Sequence, residues 1–411
     1  MRSFTGPVSK AVTVTLAASG LVFTSACSGD ADVQPGPAAE SVSAVHHDPQ
    51  PSARQLRGVP GLDTRVVMSG LDVPWDVAVL PDGSWLVTER DRLRITIRHP
   101  NGSRHVLADH PAGFWAAGET GLMSIVADPN VNKNQRFYTC NGFSQQGHPQ
   151  VRVVAWRLNR SHTSAHRVGP LLTGIQITSG RHGGCRLRFG PNGAMYVGTG
   201  DSAVGTNPQN LHSLNGKLLR LNRFTGKPSP ANPWAHAKNH KKRYIYNYGH
   251  RNIQGLAWRP NDRMWTVEHG TDRDDEVNRA IAGGNYGWNP VPGYDESTPM
   301  TDFSLPGRQI GARWSSGYPT IATSGAVWVR GTQWGAYQGT LAVGALAGER
   351  LLFMKFDKHD KLVWVRKPPA LNGDFGRLRS VVQNSAGDLL VTTSNGGGGG
   401  GGDVIVKVSP R

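Results

Sequence analysis

The chain has 411 residues, 37% of them hydrophobic, with 52 glycines, 27 prolines and 12 tryptophans. That composition suits many short strands and tight turns around a large core, and past the N-terminus no stretch is apolar enough for a membrane helix. Net charge is +16, but the basic residues are scattered; the densest run, Lys238 to Arg243, is one short loop. Without a basic stripe interleaved with aromatics, nucleic acid is not an expected partner.

The N-terminus reads as a targeting segment. Arg2 and Lys10 flank an apolar stretch, Ala11 to Phe23, that is too short to span a bilayer. Small residues then precede a cysteine in Thr24-Ser25-Ala26-Cys27, so residues 1–26 are expected to be a lipoprotein-type signal and Cys27 the lipidated residue. Thr24 stands where leucine is usual in such a signal, which leaves ordinary cleavage and secretion as the alternative. Residues 27–60, rich in Pro, Ala, Ser, Asp and His, are expected to form a disordered tether to the folded body. The placement implied is the extracytoplasmic side of the cell membrane. Export permits a disulfide between Cys140 and Cys185, with two unpaired buried thiols as the alternative.

From residue 61 to 411 the character is uniform and carries a loose repeat. Its best copies are Leu80 to Val87, Phe189 to Val197 and Trp258 to Trp265; weaker copies begin at Ala127, Trp334 and Asn384. Each is a strand, a turn built from Pro, Asn, Asp or Gly, and a second strand. Six copies with a period of about 55–60 residues predict an all-β fold, a six-bladed β-propeller of four-stranded antiparallel blades. No helical period recurs between the strands, which disfavours a βαβ arrangement; a two-sheet sandwich is the alternative, but it would not need six similar hairpins. In a propeller, loops from distant parts of the chain converge at one end of the central channel.

Four segments are denser in functional groups than turns require. In Ser179 to Leu187, His182 is followed by two glycines that leave its ring room to face a ligand; a turn-capping histidine is the alternative. Asp201 ends the strand beginning near Met195, where its carboxylate can fix a histidine tautomer; the alternative is an Asx turn. Tyr248 to Trp288 packs Arg251, Asn252, Gln254, Glu268 and the acids Asp274, Asp275 and Glu276 among glycines, and suggests a site for an anionic ligand with a metal nearby. Phe375 to Arg379 holds Arg377 and Arg379 two residues apart, which in a strand aims both guanidiniums at one side, suited to carboxylates. A solvated surface strand is the alternative.

These segments, with Leu71 to Asp76, Gly118 to Leu122, Gln209 to Arg220, Gly249 to Leu256 and Gly284 to Trp288, resemble in order and spacing the glucose/sorbosone dehydrogenase family. These are soluble quinoproteins that use pyrroloquinoline quinone (PQQ), and the resemblance covers residues 67–409. It implies a six-bladed propeller that oxidises an aldose at C1 to the lactone and passes electrons to an external acceptor. It implies His182 as general base, Asp201 as its orienting carboxylate and Arg251 beside the reactive quinone carbonyl. Asn252, Arg377 and Arg379 are implied to hold the cofactor, with Glu119 and Gln254 in the same pocket. The backbone carbonyls of Gly270 and Thr271 would bind Ca²⁺ beneath PQQ.

Departures from the family pattern are Thr271 in place of proline, Arg181 before the histidine, and the glycine run Gly396 to Gly402. A further departure is the lack of lysine in Gly344 to Arg350, where Arg350 is the candidate replacement. Asp274 to Glu276 either serve a second, structural Ca²⁺ or cap a turn. Two other readings are a catalytically inactive propeller lipoprotein that binds a glycan or a protein, and, more distantly, a hydrolase propeller with acids aimed at a channel metal.

Overall fold

The computed structural model describes residues 48–53, 58–260, 263–396 and 401–411. The expected signal segment, Cys27 and most of the tether lie outside the described residues.

Six antiparallel sheets of four strands account for almost all the regular structure. The first comprises β1 (Leu62–Leu71), at the edge of a blade otherwise built from the far end of the chain. Four strands then make the next blade: β2 (Pro74–Val79), β3 (Trp85–Glu89), β4 (Arg94–Arg98) and β5 (Arg104–Asp109). Next come β6 (Leu122–Ala127), β7 (Arg136–Gln145), β8 (His148–Leu158) and β9 (Ala165–Gln176), then β10 (Gly184–Phe189), β11 (Ala194–Thr199), β12 (Lys217–Asn222) and β13 (Ile245–Tyr248). The fourth sheet holds β14 (Ile253–Arg259), β15 (Arg263–Glu268), β16 (Glu276–Arg279) and β17 (Trp314–Ser315). The fifth holds β18 (Thr323–Trp328), β19 (Leu341–Ala345), β20 (Arg350–Phe356) and β21 (Leu362–Arg366). The last three strands, β22 (Leu378–Gln383), β23 (Leu389–Thr393) and β24 (Asp403–Pro410), complete the blade that β1 began, in the order β1-β24-β23-β22. The fold is the expected six-bladed propeller.

All six copies of the sequence repeat fall on one structural feature, the hairpin from the first to the second strand of a blade. In the hairpin after β2, Asp82 Oδ1 accepts from the Ser84 N–H at 2.9 Å and Gly83 takes φ +83°, a value costly for residues with a Cβ. Asn192 and Gly193 repeat this chemistry after β10. Of the third copy, positions 261–262 lie outside the described residues.

The first strands, β2, β6, β10, β14, β18 and β22, pack against one another in a closed ring. Crowded on both faces, they are buried almost continuously rather than alternately; β2 and β6 show it clearly. The ring is closed by pairing of β1 with β24. Buried Asp403 fixes that seam: its carboxylate accepts from Val73 N at 2.9 Å, Thr393 Oγ1 at 2.7 Å, Asn395 N at 2.7 Å and Gly396 N at 2.9 Å.

A polar hub joins the ring. Asp76 on β2 and Arg186 on β10 are both fully buried and pair at 2.8 Å. Asp76 also accepts from Ser124 of β6 and Ser380 of β22, each at 2.6 Å, and from Arg188 at 3.0 Å. Arg186 Nε donates to the Gln254 carbonyl of β14 at 2.7 Å, and its guanidinium lies 4.0 Å from the Trp75 ring centroid. Burial alone would raise the Asp76 carboxyl, but Arg186 and Arg188 hold it well below the usual carboxylate range.

The expected tether is not free along its whole length. Asp48 accepts from Trp314 Nε1 at 2.7 Å and pairs with Lys367 at 2.8 Å, while the Pro49 carbonyl accepts from Val365 N at 3.0 Å. Its C-terminal part is thus pinned to the propeller by a charge pair, an indole hydrogen bond and a strand-type backbone hydrogen bond. Among the described residues no helix is long and apolar enough to cross a membrane.

Removing the hub carboxylate would leave Arg186 buried and unpaired. Asp76→Ala is expected to lower unfolding stability by about 3–5 kcal/mol, seen as a lower urea midpoint at unchanged slope. A shift under about 1 kcal/mol would show that the hub does not organise the ring.

Candidate active site

Most of the sequence-predicted residues lie on or just before the first residues of the inner strands, while Asp201 follows β11 and Gly270 and Thr271 follow β15. Glu119 precedes β6, His182 precedes β10, Arg251 and Asn252 precede β14, and Arg377 precedes β22. Backbone bonds stitch these entries together: Asp201 N donates to Arg251 O at 2.8 Å, and His269 N to Asn252 O at 3.1 Å.

His182 sits in a tight turn with φ +52°, followed by Gly184 at +60° and Cys185 at +76°. A Cβ on Gly184 would run into the backbone of Thr199 and Gly200, which explains the glycine. The turn faces His182 Nδ1 toward Asp201 Oδ1 at 2.8 Å, with both side chains buried. Against a carboxylate, Nδ1 carries the proton and donates it, which leaves Nε2 with its lone pair. Asp201 is itself held by three more donors: Ala203 N at 2.8 Å, Trp288 Nε1 at 2.8 Å and Tyr294 Oη at 2.7 Å. The Tyr294 hydroxyl also lies 3.0 Å from His182 Nδ1. Burial, then the Asp201 charge, push its pKa far up, so it stays a donor. Under this group the buried Lys217 ammonium donates to the carbonyls of Asn207, Pro208 and Asn215 at 2.6–3.0 Å and fixes the loop beneath Asp201. Burial draws its pKa well down while the Asp201 charge opposes that.

A polar relay forms the adjoining wall. Glu119 Oε2 accepts from His182 N at 3.2 Å and from Asn252 Nδ2 at 3.1 Å. Asn252 Oδ1 accepts from Gly184 N and from Gln254 Nε2, each at 3.1 Å, and Gln254 Oε1 accepts from Arg379 Nη1 at 3.3 Å. Arg379 is buried, and its other hydrogen bond goes to Ser394 Oγ at 3.3 Å, another neutral oxygen. Arg377 stands just before β22 and is exposed, so the two arginines differ in depth rather than projecting as an equal pair.

Arg251 is 6% exposed. Its backbone N–H is held by Glu268 Oε2 at 3.0 Å, Nη1 reaches the His269 carbonyl at 3.4 Å, and Nη2 pairs with Glu296 at 2.6 Å. Arg251 Nε and His269 Nε2 are buried without a hydrogen-bond partner among the described residues. Burial, and then the charges of Arg251 and Arg379, depress the His269 pKa and keep its ring neutral. A cavity of about 510 Å³ opens beside Arg251, lined by Arg181, Thr271, Asp272, Glu296 and Ser297.

The acids of the Asp274 to Glu276 cluster are taken up by protein donors, and Glu276 accepts from Asn278 Nδ2 at 3.0 Å. Asp275 accepts from Gly270 N at 3.0 Å and Ile321 N at 2.7 Å, and Asp274 from Ser315 Oγ at 2.7 Å. Among the described residues no three His, Cys, Asp or Glu side chains converge as a metal site. The calcium expectation therefore rests on the carbonyls of Gly270 and Thr271, in a turn fixed by Asp275. Arg350 Nε donates to the Gly348 carbonyl in its own loop. Cys140 of β7 and Cys185 of β10 form a disulfide between neighbouring blades, Cα to Cα 5.7 Å, directly beside the His182 turn.

A family model described as Glucose / Sorbosone dehydrogenase matches residues 71–404. The chain belongs to the glucose/sorbosone dehydrogenase family. Family membership makes it a sugar oxidoreductase of quinoprotein type. It is 29% identical over 263 residues to quinoprotein glucose dehydrogenase B of Acinetobacter calcoaceticus, which is 57% of this chain and 54% of the relative. It is also 29% identical over 235 residues to the aldose sugar dehydrogenase YliI of Escherichia coli, 55% of this chain and 62% of that one. The chain thus spans less than two thirds of the length of either curated relative. Among solved structures, the PQQ-bound aldose sugar dehydrogenase from Streptomyces coelicolor superposes with a TM-score of 0.70 at 29% identity, covering 86% of this chain and all of that one.

Sequence reasoning missed Tyr294 and Glu296 in this family member. They lie in a loop rich in proline and glycine, where no periodicity indicates which side chains turn inward. His269, neutral and without a hydrogen-bond partner among the described residues, was also missed, although it stands inside the Tyr248 to Trp288 segment.

If Asp201 fixes the tautomer, a His182 Nδ1–H proton resonance protected from exchange should appear in the NMR spectrum and vanish in Asp201→Ala. Its persistence in the variant would contradict the assignment.

Proposed function

We propose that this protein is a PQQ- and Ca²⁺-dependent aldose dehydrogenase that oxidises the sugar C1 hydroxyl to the lactone outside the cytoplasmic membrane. The observation that carries the reading is the buried His182–Asp201 pair facing a wall of arginines at one channel mouth. PQQ has three carboxylates and two quinone carbonyls, and the residues present suit it. Arg251 Nε and His269 Nε2 lack protein partners, and Arg379 has only neutral ones. An anionic, carbonyl-rich ligand would supply what these groups lack.

In this reading PQQ, polarised by Ca²⁺, supplies the hydride acceptor when bound. Arg377 and Arg379 hold carboxylates, while Asn252 and Gln254, with Glu119 behind them, hold the wall in register. The carbonyls of Gly270 and Thr271 are the calcium ligands. Arg251 places fixed positive charge where negative charge develops. His182 Nε2 takes the C1 hydroxyl proton, and Asp201 stabilises the imidazolium that results. Tyr294 and Trp288 hold Asp201 in place, so the base stays aimed. Electrons leave to an external acceptor. Cys27 would anchor the chain to the membrane, or the protein is secreted if Cys27 is not lipidated; the Cys140–Cys185 disulfide supports an oxidising compartment.

One observation favours a second reading, a propeller lipoprotein that binds a glycan or a protein without catalysis. The loop expected to carry a lysine has none, and Arg350 is turned to its own backbone.

His182→Ala is expected to cut turnover with an artificial acceptor by about 10²–10⁴-fold while PQQ affinity, read by absorbance titration, stays unchanged. No turnover by the native protein across an aldose panel, or full turnover by the variant, would defeat the proposal. Chelation of Ca²⁺ should abolish turnover and added Ca²⁺ restore it; activity indifferent to chelator would remove the metal from the account.

A further inference from the structure

The loop after Trp288 contributes two side chains to the mouth. Tyr294 secures the base; Glu296, two residues on, does something the reaction does not call for. Its Oε1 lies 2.6 Å from Arg251 Nη2 and 3.2 Å from Arg181 Nη2. One carboxylate thus bridges a buried guanidinium of the site and an exposed guanidinium at the rim. The Arg251 side chain has one other described hydrogen bond, the 3.4 Å contact to a neutral carbonyl. Burial would raise the Glu296 carboxyl, but Arg251 and then Arg181 hold it below its usual range.

We propose that Glu296 is a resident counter-ion, which holds the anion position of Arg251 in the apo-protein and moves onto Arg181 when an anionic cofactor enters. The inference rests on the PQQ reading above. A ligand carboxylate or quinone oxygen brought against Arg251 meets a like charge already in place, and the two repel. Arg181 already touches the same oxygen, so Glu296 can yield Arg251 without passing through an unpaired state. The carboxylate therefore keeps Arg251 compensated and ordered before loading, at the expense of cofactor affinity. Arg181 lowers that expense by offering the alternative partner.

The test is an equilibrium titration of the apo-protein with PQQ at fixed Ca²⁺, followed by quinone absorbance, in native protein, Glu296→Gln and Arg181→Ala. Glu296→Gln should tighten PQQ binding about five- to tenfold, and Arg181→Ala should weaken it about two- to fivefold. The gain in Glu296→Gln should shrink as salt rises. Native binding with unchanged or weakened affinity in Glu296→Gln overturns this inference and leaves the PQQ reading standing. Absence of binding in all three proteins overturns both.

Discussion

The Asp76–Arg186 pair is the constraint on which the rest of the structure depends. A six-bladed ring leaves a channel on its axis, and the inner strands need a device there that sets their relative height. Apolar side chains cannot supply one, because the hydrophobic effect has no direction. A buried carboxylate and guanidinium can, since buried charges need partners and each bond has a geometry. Asp76 reaches β6, β10 and β22, and Arg186 reaches β14, so five of the six inner strands are tied to one charge pair. Once those strands are in register, their entry points are too, and the entry points carry the site.

The site is built by the same logic one layer up. Glu119, Asn252 and Gln254 spend their hydrogen bonds mostly on one another and on the His182 turn, so these residues act as scaffold for the pocket wall. Among the described residues Arg251 Nε and His269 Nε2 are left without hydrogen-bond partners, and Arg379 meets only neutral oxygens. That asymmetry is what makes the pocket receptive to an anion: positive and donor groups are buried ahead of the ligand that would match them. The disulfide beside the His182 turn and the buried Lys217 below Asp201 hold the strained backbone from two sides.

Much of this was legible in the sequence because it rests on local chemistry. The hairpin turns show their Asp, Asn and Gly wherever they fall, and six of them at a regular period give the blade count. His182, Asp201, Arg251 and the Arg377/Arg379 segment stand out because glycines and neighbouring polar groups mark them. The hub was not legible: Asp76 and Arg186 are 110 positions apart, and a single aspartate in a strand looks like any other. Tyr294 and Glu296 were hidden for a different reason. Their inward direction is set by loop closure against Arg181 and Arg251, and no periodicity encodes it. The depth difference between Arg377 and Arg379 follows from where β22 begins, a boundary that two arginines in alternation do not reveal. The pinning of Asp48 likewise depends on Trp314 and Lys367, both remote in the chain.

The central claim is that one mouth of the channel aligns a base, a cation and a carbonyl-lined turn on a single bound cofactor. A crystal structure of the protein soaked with PQQ, Ca²⁺ and an aldose tests it most directly. The account predicts PQQ against Arg251, Arg377 and Arg379, the carbonyls of Gly270 and Thr271 on the metal, and His182 Nε2 within hydrogen-bond distance of the sugar C1 hydroxyl. PQQ bound elsewhere on the propeller, or a sugar whose C1 lies beyond the reach of His182, would contradict it.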